Sequence, residues 1–98
     1  MGVRHVVLFR LAEGVTAEQV DAIAEGLAAL PAAIGEIRGY RFGPDLGLSD
    51  TTWDFAVVAD FDSAEDYLVY RDHPEHRAFI AAHVEPLVVE RVAVQHAT

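Results

Sequence analysis

A small set of histidine and tyrosine side chains provides the groups best suited to chemistry. The chain contains five histidines and no cysteine, and only histidine has an ordinary pKa close to neutrality, about 6.5. His5 interrupts an apolar strand face, whereas His76 and His83 lie on the apolar face of a helix, shortly after Tyr70. We expect the strand and helix residues to line one cavity between a sheet and its helices, a common position for a small-ligand pocket.

Residues of these types can transfer protons at a carbonyl compound. We predict His76 as the base, Tyr70 either holding it or donating a hydrogen bond to a developing oxyanion, and His5 as a third polar group. The alternative to a catalytic site is a structural network of hydrogen bonds among these residues, because a histidine on an apolar helix face is often a hydrogen-bonded core residue. This is the interpretation favoured for His83. The residues predicted to line the pocket are Val7, Phe9, Leu27, Phe55, Val57, Phe79, Ile80 and His83.

The sequence carries no cofactor or metal signature. It contains neither the Gly-x-Gly-x-x-Gly turn of nucleotide-dependent oxidoreductases nor the Gly-x-Ser-x-Gly turn of serine hydrolases. His73 and His76 are three residues apart, with Asp72 and Glu75 beside them, but Pro74 between the histidines disrupts a regular helical pair. We therefore expect no cofactor and no metal, and His73 is expected to close or cap the turn before the helix.

Charge and composition narrow the class of partner. The net charge of −9 and the pI of about 4.7 argue against nucleic acid and anionic membranes, because phosphate-binding surfaces need clustered basic residues. A chain of 98 residues, 52% of them hydrophobic, has room for one domain over 1–98. The opening run lacks the length and cleavage pattern of a signal peptide, so a cytoplasmic protein is expected.

Alternating apolar residues predict four strands. The clearest are Val3–Leu11 and Thr52–Phe61, in which every second residue is apolar on one face, except at His5. A short strand over Ile37–Phe42 and a closing strand over Leu87–Val94 complete the set, with His96 in a frayed tail beyond it.

Helical spacing and capping residues predict the helices between these strands. Thr16 and Gln19 fit a capping box before a helix whose apolar stripe is Val20, Ile23, Ala24, Leu27 and Leu30, with Pro31 marking its end or a kink. Ser63 with Asp66 predicts a second helix, and Pro74 begins a third that ends near Pro86.

This order of elements is the split βαβ pattern of ferredoxin-like α+β folds. Helices cover only one face of such a sheet. The other face is predicted to carry Val6, Leu8, Ala56, Val58 and, depending on register, Val89 and Ala93, which is too apolar to leave in water. Two sheets facing each other across a two-fold axis would bury it, so we expect a homodimer.

Three segments resemble the stress-responsive A/B barrel (Dabb) domain family: 5–10 (HVVLFR), 53–61 (WDFAVVADF) and, above all, 70–76 (YRDHPEH). The resemblance covers nearly the whole chain. It implies a dimeric α+β barrel of ferredoxin-like subunits, in agreement with the elements predicted from the residues alone.

The family's functions vary, and the resemblance leaves the reaction open. Its members include stress-associated proteins without an established reaction and a plant polyketide cyclase that closes a ring by cofactor-free aldol chemistry. The cyclase's catalytic Tyr/His pair falls on Tyr70 and His76 and its strand histidine on His5, but Leu27 and Phe55 replace two of its polar pocket residues. The resemblance thus implies cyclase-like acid–base chemistry on a small hydrophobic carbonyl compound. A non-catalytic or ligand-carrying protein and a cofactorless monooxygenase are the alternatives.

Overall fold

Strand β1 (Val3–Leu11) lies inside a four-stranded sheet in the computed structural model, which describes residues 1–98. It pairs antiparallel with β3 (Phe55–Phe61) on one side and with β4 (Val88–Ala97) on the other, and β2 (Gly39–Pro44) pairs with the far side of β3. The strand order is therefore β2-β3-β1-β4. With helices between β1 and β2 and between β3 and β4, this order confirms the ferredoxin-like α+β fold.

Two strands begin later than the sequence pattern predicts, because their first residues belong to loops. The Ile37 amide turns back to donate to the Ile34 carbonyl at 3.2 Å, so β2 begins two residues further on. The Thr52 hydroxyl donates within its loop, to an Asp45 carboxylate oxygen at 2.8 Å and to the Ser49 carbonyl at 3.1 Å. Strand β3 accordingly begins at Phe55 and not at Thr52.

The closing strand is longer than predicted. β4 pairs with β1 as far as Ala97, which lies opposite Val3, and the Thr98 amide donates to the Gly2 carbonyl at 3.1 Å. His96 lies opposite Arg4 inside this ladder, so the prediction of a frayed tail was wrong. The backbone hydrogen bonds with β1 hold the C-terminal residues in the sheet.

The first helical region has the predicted cap and the predicted break. In the capping box of helix α1 (Ala17–Ala28), the Gln19 amide donates to the Thr16 hydroxyl at 3.2 Å, and the Thr16 amide donates to the Gln19 side chain at 2.9 Å. Helix α2 (Leu30–Ala33) follows after one residue, with Pro31 in its first turn. Proline is tolerated there because the first helical amides have no helical partner.

The second helical region is divided by a proline. Helix α3 (Ala64–Asp72) is capped by Ser63, and helix α4 (Pro74–Phe79) restarts after an extended residue, His73, whose ring nitrogen Nδ1 accepts from the Glu75 amide at 3.1 Å. His73 is therefore a helix cap. None of the helices is long and apolar enough to cross a membrane.

A π-helical turn over Ile80–Val84 replaces the end of the predicted third helix. Its defining hydrogen bond runs from the Glu85 amide to the Ile80 carbonyl, five residues back, at 2.9 Å. This turn holds one more residue than an α-helical turn, so the residues after Ile80 are displaced around the helix axis. His83 and Val84 are the residues affected.

The core lies between the helices and one face of the sheet. It contains twelve buried apolar residues: Val7, Phe9, Ile23, Leu27, Leu30, Ile34, Phe55, Val57, Ala59, Phe61, Tyr70 and Phe79. At Gly26 the first helix packs tightly against the second helical region, since a Cβ atom there would lie 2.8 Å from the Phe79 ring and 3.2 Å from the His83 ring. A side chain at position 26 would therefore collide with the Phe79 and His83 rings.

The opposite face of the sheet is open, and its centre is apolar. Val6 lies between Val58 of β3 and Val94 of β4. Leu8 lies between Ala56 and Val92 in the same way. We call these six residues, Val6, Leu8, Ala56, Val58, Val92 and Val94, the open-face stripe.

The register corrects two residues predicted for this face. Ala93 lies opposite Val7 and therefore belongs to the helix side of the sheet, whereas Val89 lies at the register shift beside Arg10 and Leu11. Ion pairs flank the stripe, from Arg4 to Asp60 at 2.7 Å and from Arg10 to Glu90 at 3.1 Å.

Candidate functional site

A cavity of about 100 Å³ lies between the sheet and the second helical region. Three of its lining residues are the predicted polar ones, His5, Tyr70 and His76. The other lining residues are Val7, Phe9, Leu27, Val57, Phe79, Ile80, Val84 and Arg91. Strand β1 and the helices after β3 thus bring together residues that are about seventy positions apart in the sequence.

Two of the residues predicted to line the pocket lie outside this cavity. Phe55 is buried at the start of β3, its ring 6.4 Å from that of Phe9. The His83 ring packs against the Phe79 ring at 5.4 Å, beside Gly26. The prediction for His83 assumed α-helical spacing, and the π-helical turn instead places Val84 at the cavity.

The hydrogen bond of His76 determines where its proton lies. Nδ1 of His76 is 3.1 Å from the Arg71 carbonyl oxygen, which accepts hydrogen bonds only, so Nδ1 carries the hydrogen. That carbonyl lies at the end of α3, where the helix stops before Pro74, and the Glu75 amide bonds to His73 instead. In the neutral ring, Nε2 is then an unprotonated nitrogen, and it makes no hydrogen bond within the chain.

Burial keeps His76 neutral. It lowers the pKa of His76 below the ordinary 6.5, and the positive charges of Arg77 and Arg91 act in the same direction, against the hydrogen bond to Arg71. At neutral pH the ring therefore has a free lone pair on Nε2. A neutral histidine of this tautomer can accept a proton.

Tyr70 supports His76 by stacking. The two rings are 4.1 Å apart with an interplanar angle of 30°, and the Tyr70 hydroxyl bonds to the Tyr40 hydroxyl at 2.7 Å. Of the two roles predicted for Tyr70, holding His76 or donating to a developing oxyanion, the stacking contact fits the first, while the hydroxyl is bonded to Tyr40. Burial raises the pKa of Tyr70 to about 12, so its phenol stays protonated at neutral pH.

His5 is the one fully buried histidine of the protein, and its two ring nitrogens have different roles. The Gln95 side-chain nitrogen donates to Nδ1 of His5 at 2.8 Å, so Nε2 carries the hydrogen in the neutral ring. Burial lowers the pKa of His5 to about 4, with further contributions from Arg91 and His76. At neutral pH, His5 thus presents a hydrogen-bond donor on Nε2.

Arg91 is a cavity residue that the sequence pattern did not single out. It lies on β4 opposite Phe9, on the helix side of the sheet, and is exposed where the cavity opens to solvent. In the sequence, Arg91 lies in a valine-rich strand at a position that alternation places on the opposite face from Val92 and Val94. That position assigns it to the cavity side only when the register of β4 against β1 is known.

A second, larger cavity of about 470 Å³ lies on the open face of the sheet, beneath the β2–β3 connection. Leu8, Leu46, Leu48 and Trp53 contribute to its wall, and the Arg10 guanidinium lies over the Trp53 ring at 4.3 Å. It contains neither histidine nor tyrosine. Its size exceeds that of the first cavity, but its one titratable lining residue is Asp45, whereas the two histidines and Tyr70 line the smaller one.

The smaller cavity combines complementary groups in an apolar setting. His76 supplies an acceptor nitrogen and His5 a donor hydrogen, with aliphatic and aromatic side chains around them. Such an arrangement can remove a proton from a small molecule while hydrogen-bonding the oxygen on which negative charge develops.

Comparisons with known proteins agree with the fold and identify the family. The family model of the stress responsive A/B barrel domain matches residues 3–96. An uncharacterized protein of Streptomyces coelicolor is 31% identical over 81 residues, which cover 81% of this chain and 84% of that protein.

Solved structures of similar proteins have the same fold. A dimeric ferredoxin-like protein of unknown function from Thermobifida fusca is 49% identical, with a TM-score of 0.92 over 100% of this chain and 92% of that one. A hydroxynitrile lyase from Passiflora edulis is 24% identical, with a TM-score of 0.83 over 97% of this chain and 91% of that one, a likeness of fold alone. From the match over residues 3–96, the chain belongs to the stress-responsive A/B barrel (Dabb) domain family.

Proposed function

We propose that the protein is a homodimer whose subunits each bind a small carbonyl compound and transform it by cofactor-free acid–base chemistry. The observation that carries this proposal is the hydrogen bond from Nδ1 of His76 to the Arg71 carbonyl, which leaves Nε2 as a base beside the cavity. His76 is also neutral at the pH at which a base must accept a proton.

In the proposed reaction, Nε2 of His76 accepts a proton from carbon next to the substrate carbonyl. The electron pair of the broken C–H bond forms an enolate, and the enolate oxygen accepts a hydrogen bond from Nε2–H of His5. Return of the proton to carbon regenerates the enzyme. Alternatively, the enolate carbon attacks a second carbonyl, and protonated His76 gives its proton to the resulting alkoxide, which yields the aldol product and regenerates the base. Acid–base assistance of this kind is typically worth about 10²–10⁴ in rate.

The size of the cavity favours a small substrate. Its volume of about 100 Å³ is well below the roughly 300–1,000 Å³ typical of drug-sized ligands. The same chemistry extends to other small carbonyl adducts. Cleaving a hydroxynitrile also requires a base, which removes the hydroxyl proton while the bond between carbon and cyanide breaks. The hydroxynitrile lyase with this fold makes such adducts reasonable compounds to test.

Deuterium exchange tests the base directly. Short ketones and aldehydes in D₂O are followed by proton NMR, with wild-type protein and with His76→Ala. We expect the wild type to accelerate exchange next to the carbonyl, and the variant to lose about 10²–10⁴ of that acceleration. His83→Gln is the matched control, because His83 lies outside the cavity. Equal exchange by the wild type and folded His76→Ala would contradict the proposal.

A second candidate is a non-catalytic, ligand-carrying protein. The internal pairs Tyr40–Tyr70 and Gln95–His5 favour it, because the Tyr70 hydroxyl and Nδ1 of His5 are already hydrogen-bonded within the fold. A compound at a hundred times its dissociation constant raises stability by about 2.7 kcal/mol, which thermal unfolding detects. Ligand-dependent stabilisation without any exchange supports this candidate over the enzyme.

The homodimer of the proposal forms through the open-face stripe. Val92 and Val94 of the stripe are 46% and 62% exposed, and burying such a surface is favourable. The Thermobifida fusca protein, 49% identical, is dimeric, which supports the same assembly for this chain. Two copies facing each other across a two-fold axis form a dimeric α+β barrel.

A further inference from the structure

The cavity holds one permanently charged group, Arg91, and no charge to balance it. Among its eleven lining residues there is neither aspartate nor glutamate. The neighbouring acidic residue, Glu90, lies on the other face of the sheet in an ion pair with Arg10. The guanidinium of Arg91 therefore meets an apolar cavity without a counter-ion.

Arg91 forms no ion pair although carboxylates are abundant in this chain. Aspartate and glutamate number 16, against seven arginines and no lysine. Four of the arginines form ion pairs with carboxylates, at Asp60, Glu90, Asp62 and Asp72. Arg41 and Arg77 likewise form none, but Arg91 is the one arginine that lines the cavity, where it lies opposite Phe9 on the neighbouring strand.

The electrostatic reach of Arg91 covers the polar groups of the site. Its charge helps to lower the pKa values of His5 and His76 and opposes the rise in the pKa of Tyr70, so all three lie close enough to interact with it. An anion bound to the guanidinium would thus lie within the same small volume as the base and the donor. Arginine suits a carboxylate especially well, because its planar fork can donate two parallel hydrogen bonds.

We propose that Arg91 binds the carboxylate of the substrate, which is a small oxo acid with a short apolar substituent. The proposal rests on the function proposed above and names its substrate class. The carboxylate pairs with Arg91 at the cavity opening, and the alkyl part packs against Val7, Leu27 and Val57. The carbonyl and the adjacent C–H bond then lie near His5 and His76.

The test compares an acid with its neutral counterpart. The probes are 2-oxobutanoate and 2-oxobutanamide, which differ in the charged group and share the carbonyl and the exchangeable methylene hydrogens. Binding is measured by calorimetry and exchange by proton NMR in D₂O, on the full-length wild type, R91Q, R91K and R38Q. R38Q is the matched control, because it removes the same charge at an exposed surface pair with Asp62, away from the cavity.

We expect the wild type to prefer the acid, and R91Q to bind it about ten- to hundredfold more weakly with little change toward the amide. R91K, which keeps the charge and loses the fork, should fall between them, and R38Q should match the wild type. Equal binding of acid and amide by the wild type, undiminished binding of the acid by folded R91Q, or no binding of either compound overturns the proposal. Binding that depends on Arg91 without any exchange retains it and instead counts against the acid–base function.

Discussion

Protonation of His5 should make the protein markedly less stable in mild acid. His5 is 3% exposed and burial lowers its pKa from 6.5 to about 4, so the folded chain resists protonation there while the unfolded chain does not. Its stabilising contribution is complete above pH 6.5 and is lost as the pH falls toward 4. The full difference corresponds to roughly 3 kcal/mol, at about 1.4 kcal/mol for each pKa unit.

The free energy of unfolding is measured with urea at a fixed protein concentration, from about pH 7 to about pH 5. At the lower pH the folded state binds roughly a tenth of a proton at His5 and the unfolded state nearly one, which costs about 2 kcal/mol. His5→Phe removes this titration and keeps an aromatic ring beside Tyr67, whose ring centroid is 4.9 Å away. We therefore expect the wild type to lose about 2 kcal/mol more than His5→Phe over this range.

Two further measurements make the reasoning refutable. His96→Asn removes a histidine from the opposite face of the sheet and should keep the decline that His5 causes. NMR titration of the His5 ring should place its pKa well below 6.5. An ordinary pKa for that ring, or an equal loss of stability in the wild type and His5→Phe, would refute the assignment of the decline to His5.

Three other substitutions test the packing, the hydrogen bonding and the assembly. Tyr70→Phe should lower the free energy of unfolding by about 1–3 kcal/mol, because it leaves the Tyr40 hydroxyl without its partner at 2.7 Å. In a double-mutant cycle measured by urea unfolding, Tyr70→Phe combined with Tyr40→Phe should cost less than the sum of the two single variants, and strict additivity would contradict this. Gly26→Ala should lower stability by about 1–3 kcal/mol although alanine favours helices, because its Cβ atom would lie 2.8 Å from the Phe79 ring. A gain in stability on urea unfolding would show that the ring moves away. Val94→Asp should convert the proposed dimer to monomers in sedimentation velocity, because burying the two carboxylates at the interface costs several kcal/mol each. A persistent dimer would place the interface elsewhere.

The sequence predicts the framework of this fold well, for reasons visible in particular residues. Alternation along β1 is strong because successive side chains point to opposite faces of the sheet, one packed against the helices and the other open. The helix starts at Thr16 and Ser63 follow from side chains that satisfy nearby backbone amides. Errors concentrate where loops meet strands, as at Ile37 and Thr52, since there a local hydrogen bond competes with the ladder.

The candidate site is predictable only in part. Tyr70 and His76 are close in sequence, and their contact follows from one short segment that a proline divides. Arg91 and Val84 depend on features that no local pattern specifies, namely the register of β4 against β1 and an i+5 hydrogen bond in the helix. The tautomer of His76 is likewise set by the backbone, at the carbonyl left free where α3 ends.

The open-face stripe also bears on how the chain avoids aggregation. It crosses three adjacent strands, and one of them, β4, is ten residues long with an outer edge that no strand of this chain covers. Apolar edge strands recruit other chains indiscriminately, and charged residues beside them oppose this. The pairs Arg4–Asp60 and Arg10–Glu90 stand on either side of the stripe, so a misaligned chain would have to desolvate ions to cover it. These charges allow close association only in an alignment that leaves them solvated or paired, which favours a defined dimer over open-ended stacking.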